Sequence, residues 1–344
     1  FSDMTLRKEN SFLAVGLVLG ALLTALTFIF IQRSHSSREG SEGDQLVLKL
    51  GHSLDQAHPV HAAMEFMGTR LAELSANTVE LQIFPNGQLG SEPESIEQLQ
   101  RGALSMVKTS TAAMEGFVPE MAVFGLPYLF RDNEHYWDVL NGSIGKELLD
   151  SGVDVGIRGL CYYDSGSRSF YTINTPLVDP TKLNGVKVRV QPSRMAMDMI
   201  STMGGAPTPI PFGELYTALQ QGMVDGAENN PPSLLSSRHY EVAKHYVLDE
   251  HTNIPDMVIF SETVWATLTP QVRAWVEQAA IESVTFQRKL WIEKTNEALN
   301  EVEAAGVTIY RPDKTPFIEA TKPMYKKLDG QSVGILATRI REVK

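Results

Sequence analysis

A chain of 344 residues with 43% hydrophobic and 21% charged side chains exceeds one typical domain and holds enough apolar material for two sizeable cores. Its formal net charge of −11 repels phosphate, which excludes nucleic acid as an expected partner. The single cysteine, Cys161, excludes an intramolecular disulfide and any multi-cysteine zinc site, and its apolar setting IRGLCYY (157–163) reads as a buried structural thiol.

In chain order, Met4 and the residues after it, TLRKEN, read as a native start with residues 1–3 ahead of it. Residues 12–31 form an uncharged, mostly apolar run behind Arg7 and Lys8, which reads as an export signal or a membrane anchor. The run is long enough to cross a bilayer, and the one nearby small-x-small step is Ser34-His35-Ser36, so both cleavage and retention stay open. Residues 36–44 are polar with two glycines and read as a tether.

Beyond the tether, strand and helix signals alternate, which predicts an α/β architecture. Residues 46–50 and 79–84 read as strands. Between them Val60, Met64, Met67, Leu71 and Leu74 follow helical spacing. Strands are expected again at 104–108, 155–161 and 186–190, then a helix over 195–203 that stops at Gly204-Gly205. Residues 214–221 read as a short helix closed by Gly222, and 223–228 as a buried strand with Asn229 at its end. Thr269-Pro270 is a strong helix start, with Thr as cap and Pro in the first turn; Val272, Val276, Ala280 and Val284 carry the apolar spacing on towards Val302, and Gly306 stops it. No internal repeat is visible.

The stretch from Ser165 to Ser233 carries the chemistry. In GVKVRV (185–190) the valines alternate with Lys187 and Arg189, so the valines face a core and Arg189 projects from the opposite face near the strand end. A guanidinium matches both oxygens of a carboxylate and stays charged when desolvated. Two readings stand for Arg189: a carboxylate clamp, or a solvated residue on an edge strand. Arg168, beside Phe170 and Tyr171, likewise reads either as a second ligand arginine or as a side chain snorkelling over an aromatic core.

The motifs FPNGQLGSEPE (84–94), VFGLPYLF (123–130), GSRS around Arg168, LNGVKVRV, PTPIPFGELYTALQQGMVDGAEN and YEVAKHY (240–246) together are similar to those of a known family. From about residue 46 to about 330 the chain resembles the extracytoplasmic solute-binding proteins of tripartite ATP-independent periplasmic (TRAP) transporters, of the DctP type. The resemblance implies two lobes around a cleft, one from 45–165 plus 255–294 and the other from 166–254 plus 295–344, with the helix from Pro270 spanning both. It also implies that Arg189 makes the main salt bridge to a ligand carboxylate, that Arg168 supports it, and that Asn229 bonds a ligand oxygen. Glu92 matches an acid near ligand hydroxyls, Ser110 and His52 match ligand-lining positions, and Phe212 matches a ring that packs on the ligand. Pro192 stands where sialate binders carry an asparagine; Ser193 beside it is a further candidate contact. Glu228 and His251 read as hydrogen-bonding the ligand or as buttressing the arginines, with buttressing preferred.

The expected ligand is a hexuronate or related aldonate, because GAENNPPS and YVLDEH resemble the sugar-acid binders of the family; a dicarboxylate or keto acid is the alternative. The expected partner is a sodium-coupled TRAP permease, with the folded part outside the cytoplasmic membrane. No cofactor is expected. His58-x-x-His61 lacks a third metal ligand apart from His52 across a loop and reads as a pair of solvated histidines. No G-x-S-x-G step and no phosphate-cradling glycine loop is present, so catalysis is not expected. Two alternatives keep their place: a hydrolase or lyase using paired acids such as Glu92 and Glu94, and a membrane-tethered sensory domain.

Overall fold

A computed structural model describes residues 45–344, so the reading of 12–31 as signal or anchor lies outside the described residues. Eleven strands occur among them: β1 (Leu46–Gly51), β2 (Val79–Phe84), β3 (Met106–Ser110), β4 (Ile157–Tyr163), β5 (Arg168–Thr172), β6 (Lys187–Val190), β7 (Ala206–Pro209), β8 (Gly226–Asn229), β9 (His245–Thr252), β10 (Asp256–Ser261) and β11 (Thr308–Tyr310). They build two mixed sheets, one ordered β2-β1-β3-β10-β4 and the other β11-β9-β5-β8-β6-β7, the architecture of a two-lobed α/β protein. The chain passes from the first sheet to the second between β4 and β5 and returns between β9 and β10.

The expected elements lie close to the observed ones. The helix Pro59–Leu74 buries Val60, Ala63, Met64, Met67 and Leu71, a stripe at helical spacing. The strands expected over 104–108, 155–161 and 223–228 sit two or three residues further on, at β3, β4 and β8. In β8 the apolar Met223 and Val224 belong to the preceding turn, so the pairing strand begins at Gly226.

The long helix Pro270–Ala304 starts where the Thr269 side chain accepts from the Val272 amide, and its 35 residues span about 52 Å. Near its start Val276, Ala279 and Ala280 share a core with Leu48, Leu50, Val60 and Met64 under the first sheet. Near its end Val302 shares another with Tyr171, Leu215 and Tyr246 under the second. Midway, Gln287 accepts from the Asp164 amide (2.8 Å) and donates to the Asp164 carbonyl (2.8 Å), so a buried side chain completes the backbone bonding of the β4–β5 crossover. Gly166 in that crossover has φ +59, and an added Cβ would stand 3.0 Å from the Trp291 indole nitrogen. Ser165 donates its hydroxyl to the Ile254 carbonyl, tying the two crossovers together.

The C-terminal helix Ser332–Glu342 returns to the first half of the chain: Leu336, Ala337 and Ile340 share a buried cluster with Met121 and Phe124. Cys161 is buried, and burial pushes its thiol up to about 12, as a structural thiol requires. Among the described residues, no helix is long and apolar enough to cross a membrane.

Gly226 opens β8 where neighbouring backbone leaves no room: an added Cβ would lie 2.4 Å from the Tyr171 carbonyl oxygen and 2.6 Å from Thr172 Cγ2. Gly226→Ala therefore forces β5 and β8 apart and should lower the unfolding free energy by about 1–3 kcal/mol, read from urea unfolding curves. An unchanged midpoint would mean that the β5–β8 pair yields without cost.

Candidate functional site

Arg189 is among the most deeply buried charged groups of the site. β6 lies between β7 and β8, so both its edges are paired, and Arg189 is only 1% exposed, which corrects the solvated edge-strand alternative. Val188 and Val190 turn to the core as expected. The guanidinium donates from Nε to the Ile210 carbonyl at 2.8 Å and lies 5.8 Å from the centroid of the Phe212 ring. Its Nη1 is buried with no hydrogen-bond partner, and among the described residues no carboxylate lies within ion-pair distance of it. Burial pulls its pKa down to about 10, which still leaves it charged at neutral pH.

Arg168 at the start of β5 is equally buried but fully engaged. It forms an ion pair with Glu228 through Nε, donates from Nη2 to Glu228 Oε1 (3.0 Å) and to its carbonyl (2.8 Å), and donates from Nη1 to Asn229 Oδ1 (2.9 Å). The antiparallel register sets this up, since Phe170 faces Glu228 and Ser169 faces Asn229. Burial opposes the Glu228 charge, yet Arg168 and His251 together outweigh it and hold the carboxyl down at about 2. The Asn229 oxygen also accepts from the Asn230 amide (2.9 Å), which leaves its NH2 as the group to offer.

A cavity of about 30 Å3 lies between the two sheets. From the second sheet's side it is lined by Arg168, Arg189, Gln191, Phe212, Asn229 and Ser233, and from the first sheet's side by Ser53, His58, Glu92, Lys108, Ser110 and Asp256. Six of the ten candidate residues thus converge on it. Glu92 Oε1 accepts from the Ser110 amide at 3.1 Å, and the Ser110 hydroxyl caps the next helix by accepting from the Ala112 amide.

The other four stand behind or beside the cavity. His52 hands its Nε2 to His61 Nδ1 at 3.0 Å and accepts from the Leu54 amide. Ser193 caps the helix Arg194–Thr202 and donates to Glu115 at 2.5 Å. Glu228 and His251 back the arginines: His251 Nδ1 is 2.8 Å from Asp249 and its Nε2 3.6 Å from Glu228. Glu94 is drawn away as a helix cap, accepting from the Ser91 amide at 2.8 Å, so it does not pair with Glu92 at the cavity.

Sequence reasoning missed His58, Lys108 and Asp256. The solvated-histidine reading fails because His58 and His61 are both buried. His58 accepts from the Val60 amide at Nδ1, so its Nε2 carries the proton and donates to Ser233 Oγ at 3.1 Å, joining the two sides of the cavity. Burial, with Lys108 and the neighbouring histidines, holds His58 well below the ordinary histidine value. Lys108 was visible as a lone charge in the apolar run LSMVKTS, and Asp256 as one at the head of DMVIF. Lys108 Nζ is 2.8 Å from Asp256 and 4.0 Å from Glu92. Among the described residues, no group of three or more His, Cys, Asp or Glu could hold a metal ion.

Comparison with known proteins names the class. Residues 50–331 match the family described as bacterial extracellular solute-binding protein, family 7, also called DctP. The chain belongs to this family. It is 34% identical to the C4-dicarboxylate-binding periplasmic protein DctP of Rhodobacter capsulatus over 77% of this chain and 80% of that protein. A TRAP periplasmic solute-binding protein from Bradyrhizobium sp. BTAi1, solved with galacturonate, is 42% identical with a TM-score of 0.83, over 86% of this chain and 99% of that one. A second, from Pseudomonas putida F1 and bound to D-glucuronate, is 37% identical with a TM-score of 0.83, over 87% of this chain and 98% of that one. The protein is therefore a TRAP solute-binding protein, of a family that serves transporters as a carrier of small organic acids rather than as an enzyme.

The His251 pair makes stability depend on pH. Burial pulls His251 down, but Asp249 and Glu228 outweigh it and raise it to about 9 from 6.5. A raised histidine contributes stability that is complete below about 6.5 and is lost as pH rises through about 9. Urea unfolding from pH 6 to 9.5 should show this fall in the native protein, and a shallower one in His251→Gln. Parallel curves for the two would remove His251 as its source.

Proposed function

We propose that this TRAP solute-binding protein captures a hexuronate, such as glucuronate or galacturonate, outside the cytoplasmic membrane and hands it to a sodium-coupled TRAP permease. The observation that carries this reading is the unpartnered Nη1 of Arg189, a buried charge facing a cavity walled from both sheets. A buried guanidinium without a counter-ion favours an anionic guest, and its planar donors suit a carboxylate. Arg168, held by Glu228, adds positive potential without moving, and Asn229 offers its NH2 to a ligand oxygen. Glu92 and Ser110 face sugar hydroxyls from the other side, and Phe212 packs on the ring. The solved relatives with galacturonate and glucuronate support the choice of acid.

In this reading the lobes divide as 45–165 plus 255–294 and 166–254 plus 295–344. A cavity of about 30 Å3 has room for little more than a water molecule, so a sugar acid enters only when the lobes part. The two crossovers and the long helix supply the hinge, and closure around the acid is the capture step. Residues 1–44 would deliver the protein to the periplasm as a cleaved signal or a retained anchor.

Titration calorimetry with glucuronate, galacturonate, succinate and sialate tests the acid: the uronates should bind most tightly and be recovered unchanged. Binding of succinate or sialate alone would overturn the uronate reading, and product formation at a catalytic rate would overturn the carrier reading. Arg189→Ala should weaken uronate binding by about two to four powers of ten, since losing one partner of a desolvated pair costs roughly 3–5 kcal/mol. Arg189→Lys keeps the charge without the fork and should retain part of the affinity. Unchanged affinity in both folded variants would remove Arg189 from the site.

A further inference from the structure

Five charged side chains line the cavity: Arg168, Arg189, Lys108, Glu92 and Asp256. Glu228 occupies Arg168, and Lys108 is shared between Asp256 at 2.8 Å and Glu92 at 4.0 Å. Of the three cations, Arg189 alone has no carboxylate partner among the described residues. The cavity therefore has one vacant positive group on the second sheet's side and two carboxylates on the first sheet's side. That wall is rigid. Asp256 faces Ser110 and Val258 faces Lys108 in the antiparallel β3–β10 register, so Asp256 and Lys108 are diagonal neighbours on interior strands.

We propose that Asp256 and Glu92, with Lys108 shared between them, admit a sugar acid carrying one carboxylate and reject the same carbon chain with a second carboxylate at its far end. This inference rests on the hexuronate reading. A first carboxylate meets Arg189. A second would meet two carboxylates whose one cation is already committed, and like charges brought together in a desolvated site discriminate strongly. A hydroxyl at the same end instead donates a charge-assisted hydrogen bond to either acid. Neither Asp256 nor Lys108 belongs to the arginine side of the site, and their effect falls on the end of the ligand that distinguishes one acid from another.

The wall has a built-in control. Asp256 is faced by Lys108 from β3, Glu92 from the helix Glu92–Gln100 and Arg168 from β5, and its β4 neighbour Tyr163 is bonded to Ser283. Burial pushes the Asp256 carboxyl up to about 6, against the pull of Lys108. It loses its charge as pH falls through that value, whereas burial holds His58 well below the ordinary histidine value.

Glucuronate and glucarate share a carbon chain and differ in whether the far end is a hemiacetal or a carboxylate, so their affinities for the full chain form the test. At pH 8 the native protein should prefer glucuronate by about 100-fold or more. Asp256→Asn and Glu92→Gln at pH 8, and the native protein at pH 5, should each shrink that preference, by about tenfold for Asp256→Asn. Should a variant fold poorly, the native protein at the two pH values decides. Glucuronate binding with a preference unmoved by substitution and pH, or glucarate binding within about threefold of glucuronate at pH 8, would overturn the inference and leave the hexuronate reading standing. Absence of glucuronate binding would overturn that reading and this inference with it.

Discussion

Everything at the site follows from how one buried carboxylate is shared out. β8 lies between β5 and β6 and presents Glu228 where Arg168 and Arg189 both come near. Glu228 pairs with Arg168 through several hydrogen bonds, which fixes that arginine, offsets its desolvation and locks β5 to β8. Arg189 is left with a carbonyl on one side and an empty donor on the other. An isolated ionised group in such a place is costly unless it is paired, and the proposed carboxylate guest would supply that partner. The His251–Asp249 pair behind Glu228 extends the arrangement by holding a second positive group where Glu228 needs one.

Much of the fold was legible because its signals are local. The Thr269-Pro270 cap, the apolar stripe of Pro59–Leu74 and the valines of GVKVRV each declare an element within a few residues. The arginines were legible only as a pair of alternatives, since a four-residue strand does not say whether it lies at a sheet edge. Its neighbours β7 and β8 decided that, through parallel pairings that sequence alone does not reveal. The same limit hid the Lys108–Asp256 pair, whose members meet because β10 crosses back between β3 and β4. His61 was misread for a related reason: its ring and that of His52 are partners across a turn, and burial keeps His52 down at about 3. Ser193, read as a candidate contact, caps the helix that follows it and donates to Glu115.

The lobes meet on unequal terms. The first sheet contributes Glu92, Asp256, Lys108 and His58 to the cavity, and the second contributes Arg168, Arg189 and the amides of Gln191 and Asn229. His58 reaching Ser233 is one direct bond across that divide. Beside it, the Gln287 amide ties the long helix to the β4–β5 crossover through both backbone groups of Asp164.

Trp291 stands at the meeting point of these parts. Its indole nitrogen closes over Gly166 in the crossover, and its ring lies 5.8 Å from that of His58, which belongs to the cavity wall. Under the proposed opening, rotation about the crossover would change the polarity around that indole and make it an intrinsic optical gauge of the movement, with the glycine beneath it letting the ring sit close to the crossover.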